Sequence, residues 1–438
     1  MNFDKICVLG LGYTGLPTAS TFATHGVKVV GVDTNPVVVN TLRNGGLHIF
    51  EPGLRTLVQA AIGSGNLTIA EIPEPADAFL IEVPTPFYED KRADMRAVVS
   101  ATEAIIPHLR RGNLVVLEST SPPMTTINLL APILERCGLR AGVDFHLAYS
   151  PERVMPGQIL RELIENDRVI GGINRASAEA GRDLYTLFVR GEIVLTDCTT
   201  AEMVKLMENT YRDVNIALAN EFSRLAERFG INVWEAIPIA NRHPRVKILR
   251  PGAGVGGHCI SVDPWFLVES APDLANLIRT ARQVNDSQPE HVLELIRSAA
   301  ASDAADPLFG KRITVLGLAY KEDVDDLRES PAIEVTKLLC QAGAVVTAYE
   351  PNRLDARLQG VHMAASLEQA LANAEVVVLL VGHTPFKSLH AGDMINLSSA
   401  RVLVDCANTW SALAWEQSGF KIVRLGVNRL NALDAPHA

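Results

Sequence analysis

Two short apolar runs, each closed by a glycine, constrain this chain most. Lys5-Ile-Cys-Val-Leu-Gly10 opens it, and Arg312-Ile-Thr-Val-Leu-Gly317-Leu-Ala-Tyr-Lys321 repeats the design far downstream. A continuous apolar run bounded by glycine predicts a strand buried on both faces, as in a parallel sheet covered by helices. Each run is followed by a helix-like stretch and a second apolar strand, at residues 27–32 and 344–349. Further buried-strand runs lie at residues 78–83, 114–118, 376–381 and 401–405. Strands alternating with helices predict an α/β fold with two Rossmann-like, doubly wound parallel-sheet domains.

The stretch between them reads differently. Residues 200–302 are helical in pattern, and residues 201–229 lack proline and glycine while apolar residues recur at helical spacing. Gly230 supplies a C-terminal stop, giving one long helix of roughly eight turns at about 3.6 residues each. Residues 299–307, rich in Ala, Ser, Asp and Pro, read as a linker. The expected division is residues 1–199, a central helical domain over 200–302 and a second sheet domain over 303–438.

With 438 residues there is room for such domains. No apolar run approaches the length of about 18 residues that a membrane span needs. The opening residues lead straight into a strand, so no signal peptide is expected. Six cysteines (Cys7, Cys137, Cys198, Cys259, Cys340, Cys406) are scattered without a CxxC pair, which predicts reduced thiols, a cytoplasmic setting and no metal site. A net charge of −10 argues against nucleic-acid binding.

Gly10-Leu-Gly12-Tyr-Thr-Gly15 fits G-x-G-x-x-G and stands after a strand and before a helix. Glycines there permit a tight turn and close approach of a pyrophosphate to the helix N-terminus. Asp33, at the end of the next strand and 23 positions after Gly10, suits the ribose hydroxyls and would repel a 2′-phosphate, so NAD is favoured over NADP. The plainer alternative is a glycine turn with Asp33 as a surface cap.

The second chemical signal is Gly252-Ala-Gly-Val-Gly-Gly-His-Cys259-Ile-Ser-Val-Asp263-Pro264. A cysteine beside a glycine-rich loop is a candidate nucleophile, with a buried small hydrophobe as the alternative. Asp263 before Pro264 also reads as a helix N-cap, and the proline disfavours helical geometry at Asp263 itself. Lys205 and Asn209 share a helix face, either solvated or presenting an ammonium and an amide to one ligand. Ser150-Pro-Glu152-Arg153 would by itself be a surface ion pair, and His258 is left without a role.

These residues carry a resemblance. Gly10–Gly15, Val83-Pro-Thr85-Pro86, Glu118-Ser-Thr120, Ser150-Pro-Glu152-Arg153, Glu208-Asn209-Thr-Tyr-Arg-Asp213, Gly256-Gly-His-Cys259, Gly317-Leu-Ala-Tyr-Lys321 and Asp325-Asp-Leu-Arg328-Glu-Ser-Pro331 occur in order along nearly the whole chain. The chain resembles the UDP-glucose/GDP-mannose dehydrogenase family of NAD-dependent nucleotide-sugar 6-dehydrogenases. Asn209-Thr-Tyr-Arg-Asp-Val-Asn-Ile-Ala217 and Asn241-Arg-His-Pro-Arg245 are most similar to its UDP-N-acetyl-D-mannosamine branch. Ser261 departs from the proline or alanine of many members, which puts the rigidity of the cysteine loop in question.

The resemblance implies an N-terminal NAD domain, a central helical domain and a C-terminal UDP-binding domain. It implies a four-electron oxidation of a UDP-sugar C6 hydroxyl to a carboxylate. Cys259 would form a thiohemiacetal and then a thioester. Lys205 and Asn209 would stabilise oxyanions, Asp263 would support the base, Glu152 would activate water, and Thr120 would sit near the reacting centre. Tyr13, Thr14, Thr85, Thr120 and Arg328, with Gly10, Gly12, Gly15 and Asp33, would hold the cofactor. Glu152, Arg153, Lys205, Asn209, His243, Arg245, Gly252, Gly256, Gly257 and Lys321 would hold the sugar nucleotide, Arg245 coming from a neighbouring subunit. A homodimer or larger homo-oligomer is expected. The rival readings are UDP-N-acetylglucosamine or UDP-glucose as substrate, a single-hydride dehydrogenase, and a non-catalytic regulator that binds NAD or nucleotide sugar.

Overall fold

Strand residues that alternate between two apolar faces generate both sheets. In β1 (Lys5–Leu9), Ile6 and Val8 join one buried cluster while Cys7 and Leu9 join another on the opposite face. A parallel strand covered by helices on both sides needs this two-sided burial, which is why the run is apolar throughout. The computed structural model describes residues 2–257, 259–301 and 306–428. His258 and residues 302–305 of the expected linker lie outside the described residues.

The chain divides into two compact units: residues 1–208 with 265–274, and residues 209–264 with 275 onward. In the first, β1 is joined by β2 (Lys28–Val32), β3 (Leu67–Ala70), β4 (Ala78–Ile81), β5 (Leu114–Leu117), β6 (His146–Tyr149), β7 (Arg168–Gly172) and β8 (Ile193–Asp197), in the order β3-β2-β1-β4-β5-β6-β7-β8. The order reverses between β1 and β4, and ligands of such sheets bind at the carboxyl ends of the strands at that point.

The parallel-sheet expectation holds, with one antiparallel pairing in the first unit. β7 pairs antiparallel to β6, through Ala148 with Gly172 and Tyr149 with Gly171, and β8 follows β7 in parallel. The connection from β6 to β7 carries the helix Ile159–Glu165 but re-enters the sheet from the end it left, so the strand direction reverses.

The second unit repeats the first design. Its strands are β9 (Arg312–Leu316), β10 (Val345–Tyr349), β11 (His362–Met363), β12 (Val376–Leu379), β13 (Val402–Asp405) and β14 (Lys421–Arg424), all parallel, in the order β11-β10-β9-β12-β13-β14. Ile313 and Val315 face one core and Leu316 the other.

The same backbone device closes the turn after the first strand in each unit. Gly10 (φ 98°) donates to Val32 O, and Gly317 (φ 85°) donates to Tyr349 O. An acid just past the second strand then takes the turn's N–H groups. Asp33 accepts from Leu11 N at 3.0 Å, and Glu350 accepts from Leu318 N at 2.7 Å and Ala319 N at 3.0 Å.

The long helix spans Cys198–Phe229, and Gly230 at φ 69° ends it in the left-handed conformation as expected. One side is buried (Ala201, Leu206, Asp213, Ala217, Asn220, Ala226). Met203, Met207, Tyr211, Leu218, Leu225 and Phe229 stay exposed, Tyr211 at 65% and Phe229 at 72%.

Candidate active site

The first turn is shaped for a phosphate-bearing ligand. A Cβ on Gly10 would lie 2.3 Å from Glu82 O, and one on Gly15 would lie 1.9 Å from Gly10 O, so no side chain fits at either position. The helix Gly15–Thr24 starts with no acid in its first turn and no side-chain hydrogen bond from Thr14 capping its N-terminus. Its first amides and its dipole therefore favour an anion at that end. Asp33 accepts from Leu11 N at 3.0 Å and Asn35 N at 2.8 Å, and a carboxylate taking two such bonds still has acceptor capacity for a ribose hydroxyl. Tyr13 and Thr14 are half-buried on the same turn, and Gly12 has open space around it. Thr85 Oγ1 donates to Thr120 O at 2.7 Å, so two motifs far apart in sequence meet at the carboxyl ends of β4 and β5.

Glu152 and Arg153 do not form the surface ion pair that spacing suggests. Glu152 is buried, and its Oε2 lies 3.3 Å from Arg168 Nη2. Arg153 instead pairs with Glu208 on the long helix at 2.7 Å, and its N–H donates to Glu152 Oε1 at 2.6 Å. Lys205 Nζ, also on that helix, donates to the Glu152 carbonyl at 2.5 Å. Within the first unit the structure thus brings Glu152, Arg153 and Lys205 together.

The second unit holds the cysteine. Cys259 is half-buried, and its carbonyl accepts the N–H groups of Val262 at 3.0 Å and Asp263 at 2.8 Å. The helix Asp263–Ser270 therefore begins at Asp263 itself, which corrects the expectation that Pro264 keeps Asp263 out of helical geometry. The conformational penalty before a proline is modest, and a backbone hydrogen bond to Cys259 outweighs it. Asn209 Nδ2 donates to Asp263 Oδ2 at 2.5 Å, joining two expected site residues. Ser261 is buried and its hydroxyl donates to Gly257 O across the cysteine turn, a tie that neither proline nor alanine can make.

The glycine loop rests on the segment that follows Gly317. A Cβ on Gly256 would lie 2.6 Å from Glu329 O and 2.8 Å from Tyr320 Cβ, and one on Gly257 would meet the Tyr320 ring at 3.1 Å. Gly257 N donates to Arg328 O at 3.1 Å. The loop's other end is held by Asn220, which accepts from Gly252 N at 2.9 Å, and by Gln288, which donates to Gly252 O at 3.1 Å. Arg328 lies in this unit with its guanidinium 2.6 Å from Asp326, and Lys321 lies on the same segment. His243 and Arg245 sit in an exposed loop after the helix Val233–Ala240, Arg245 N donating to His243 Nδ1 at 3.4 Å.

Several residues beneath these groups carry no spacing signal of their own, Asp213 entering only as the end of one motif of the resemblance. Asp213 accepts from Arg282 Nη1 at 2.5 Å and from Asn285 Nδ2 at 2.8 Å, and Asn285 in turn accepts from Asn220 at 2.9 Å. This buried network fixes Asn220 against Gly252. Glu202 accepts from Met124 N at 2.6 Å and Thr126 N at 2.8 Å, holding Met124 at φ 71° just beyond Thr120. Glu350 is clasped by His383 Nε2 at 3.0 Å, while His383 Nδ1 accepts from Asp323 N at 2.9 Å. Burial opposes the Glu350 charge, but His383 and the N–H groups of Leu318 and Asn352 outweigh it and hold the carboxyl below its ordinary range. Buried polar residues on otherwise apolar elements were the one available hint, and only tertiary contacts give each a partner.

Two Rossmann-like units, a glycine turn built for a dinucleotide and a braced cysteine turn define a dinucleotide-dependent oxidoreductase class. The NAD binding domain of the UDP-glucose/GDP-mannose dehydrogenase family matches residues 4–189, its central domain residues 199–287 and its UDP binding domain residues 314–412. The chain belongs to the UDP-glucose/GDP-mannose dehydrogenase family. It is 46% identical over 434 residues to the UDP-N-acetyl-D-mannosamine dehydrogenase of Methanococcus maripaludis, covering 97% of this chain and 98% of that one. It is 49% identical over 422 residues to the NDP-N-acetyl-D-galactosaminuronic acid dehydrogenase of Ralstonia solanacearum, covering 94% and 97%. The solved UDP-D-ManNAc dehydrogenase of Pyrococcus horikoshii superposes with a TM-score of 0.90 at 40% identity, covering 97% of this chain and all of that one. Among the described residues no helix is long and apolar enough to cross a membrane.

Proposed function

We propose that the protein oxidises the C6 hydroxyl of UDP-N-acetyl-D-mannosamine to the carboxylate, with two NAD consumed per sugar. The observation that carries this reading is the cysteine turn, in which Cys259 is joined through its backbone to Asp263, and Asp263 through its carboxylate to Asn209. Removing one hydride from an alcohol carbon needs no nucleophile; going on to the acid does. An aldehyde has no further hydride to give until something adds to it, and thiolate addition creates the tetrahedral carbon that can.

Bound NAD supplies the hydride acceptor, and Gly10, Gly12, Gly15, Tyr13, Thr14, Asp33, Thr85, Thr120 and Arg328 are the residues we assign to holding it. Asp263, with Asn209, supports removal of the hydroxyl proton. The Cys259 sulfur adds to the aldehyde carbon, and Lys205 and Asn209 stabilise the oxyanion. Loss of the second hydride leaves a thioester. Glu152 takes a proton from water as the water oxygen adds to the thioester carbon, and the C–S bond breaks to release Cys259 and the acid. Arg153, His243, Arg245, Gly252, Gly256, Gly257 and Lys321 are assigned to the sugar nucleotide.

The domain division at residues 199 and 302 and a cytoplasmic, homodimeric enzyme belong to the same proposal. The exposed stripe Tyr211, Leu218, Leu225 repeats every seven residues along the long helix, which is the spacing two copies need to pack side by side. Arg245 is then the contact offered to the neighbouring copy. The Ralstonia relative's name favours an N-acetylgalactosamine-type sugar as the second reading. Acid formation from UDP-N-acetylmannosamine, UDP-N-acetylgalactosamine, UDP-N-acetylglucosamine and UDP-glucose, followed by mass spectrometry, tests the assignment. The mannosamine sugar should be turned over fastest, and a preference for any other overturns the substrate. With Cys259→Ser, binding should persist and acid should not form; unchanged acid formation overturns the covalent route.

A further inference from the structure

Behind Glu152 lies a buried cluster whose charges do not balance. Three carboxyl groups, Glu82, Glu118 and Glu152, act on a single guanidinium, Arg168. Arg168 Nη1 lies 3.4 Å from Glu118 Oε2 and 3.1 Å from Ser150 Oγ, and Nη2 lies 3.3 Å from Glu152 Oε2. The guanidinium stacks 4.3 Å from the centre of the Tyr185 ring, and the Tyr185 hydroxyl donates to Glu118 Oε1. Among the described residues, Glu82, just past β4, has both carboxyl oxygens sealed from solvent without a hydrogen-bond partner; the Thr14 hydroxyl is the side-chain donor that acts on it. The remaining charged neighbours of Glu152 are already engaged. Lys205 sits on its carbonyl oxygen, and the Arg153 guanidinium is taken by Glu208.

A buried carboxylate without a counter-ion takes up a proton rather than stay charged. One guanidinium can neutralise one of the three acids. Glu82, with no hydrogen-bond partner, is the first to be protonated, and burial with the nearby Glu118 and Glu152 pushes its carboxyl well above the ordinary range. Glu118 is sealed at 2% exposure, and burial outweighs Arg168 to push it up to about 7. Glu152 receives Arg168 Nη2 at 3.3 Å and the Arg153 N–H at 2.6 Å, whereas Glu118 receives Arg168 Nη1 at 3.4 Å and the Tyr185 hydroxyl. We propose that Arg168 is a positioning residue that fixes the Glu152 carboxylate in orientation, while Glu82 and Glu118 are the members of the cluster that carry protons. The cluster's guanidinium thereby serves the group that deprotonates water. This inference rests on the reading of Glu152 as the hydrolytic base.

The test uses the full-length enzyme with NAD and UDP-N-acetyl-D-mannosamine, rapid quenching, and intact-mass detection of the acyl group on Cys259. Glu152→Gln should accumulate the thioester; if it does not, the assignment of Glu152 falls, and with it this inference. Given that accumulation, Arg168→Lys and Arg168→Gln should slow thioester breakdown about tenfold or more at neutral pH. In Arg168→Gln the acid limb of the hydrolysis rate should move upward by about one to three pH units. The first-turnover burst of NADH should be kept. An unmoved limb, or burst and hydrolysis falling in parallel, overturns the positioning role. Should the Arg168 variants fail to fold, infrared difference spectra decide, recorded below the Glu118 value. Glu82→Gln and Glu118→Gln should each remove a protonated-carboxyl C=O band, and a parent spectrum without those bands overturns the proposal.

Discussion

A carboxyl buried without a partner costs stability, and Glu82 is one. Its folded form holds a proton well above the ordinary value of 4.5, because of burial first and then Glu118 and Glu152. The native state therefore binds this proton more tightly than the unfolded chain does. The stability it contributes is complete below the ordinary value and is lost as pH rises towards the raised folded value. Glu82→Met removes both the charge and the unmet hydrogen bonds, and should stabilise the protein by about 1–3 kcal/mol at pH 8 and less at pH 5, read from denaturant unfolding. An equal gain at both pH values contradicts the protonated state. Gly15→Ala belongs to the same scale: its Cβ would lie 1.9 Å from Gly10 O, so the turn must open. NAD affinity should fall about tenfold or more, equal to about 1.4 kcal/mol, in a fluorescence titration. Sequence made Gly10, Gly15, Asp33 and Cys259 legible because their spacing is itself the signal. Glu82, Glu118 and Arg168 were not legible as a group, since each is a single polar residue at the edge of an apolar run and its partners come from other strands.

At the scale of elements, the strands that could be read were those buried on both faces. β1, β2, β4, β5, β9, β12 and β13 stand out as largely apolar runs, and β10, although one of its faces is part-exposed, is still rich enough in apolar residues to be read. β8, with the half-exposed pattern of Ile193–Asp197, and the short β11 offer no such run. The reversed β7 shows a second limit, because strand direction is set by how the connection returns and not by the residues of the strand. The long helix was legible from its periodicity and its terminal glycine, but periodicity alone did not reveal that one apolar stripe remains uncovered. Leu218 and Leu225 are each 42% exposed on that stripe. On the proposed homodimer, the double variant Leu218→Glu, Leu225→Glu should convert a two-chain mass to a single-chain mass by light scattering, with the fold intact by circular dichroism. An unchanged oligomer places the subunit contact elsewhere.

Across the whole molecule, one sheet design is used twice for different ends. In the first unit the acid after the second strand, Asp33, is half-buried and stays accessible to a ribose. In the second unit the corresponding acid, Glu350, is buried beneath His383, and the turn it clamps carries Tyr320 against the glycine loop. The second sheet thus braces the loop that leads to Cys259. A braced cysteine suits the proposed reaction, which needs it twice, to capture an aldehyde and to release an acid. The most direct test is the NADH formed, by absorbance at 340 nm, from a limiting and known amount of UDP-N-acetyl-D-mannosamine. Two NADH per sugar, with the uronate as the only product, is the expected result. One NADH per sugar, with free aldehyde in solution, would contradict the covalent four-electron route.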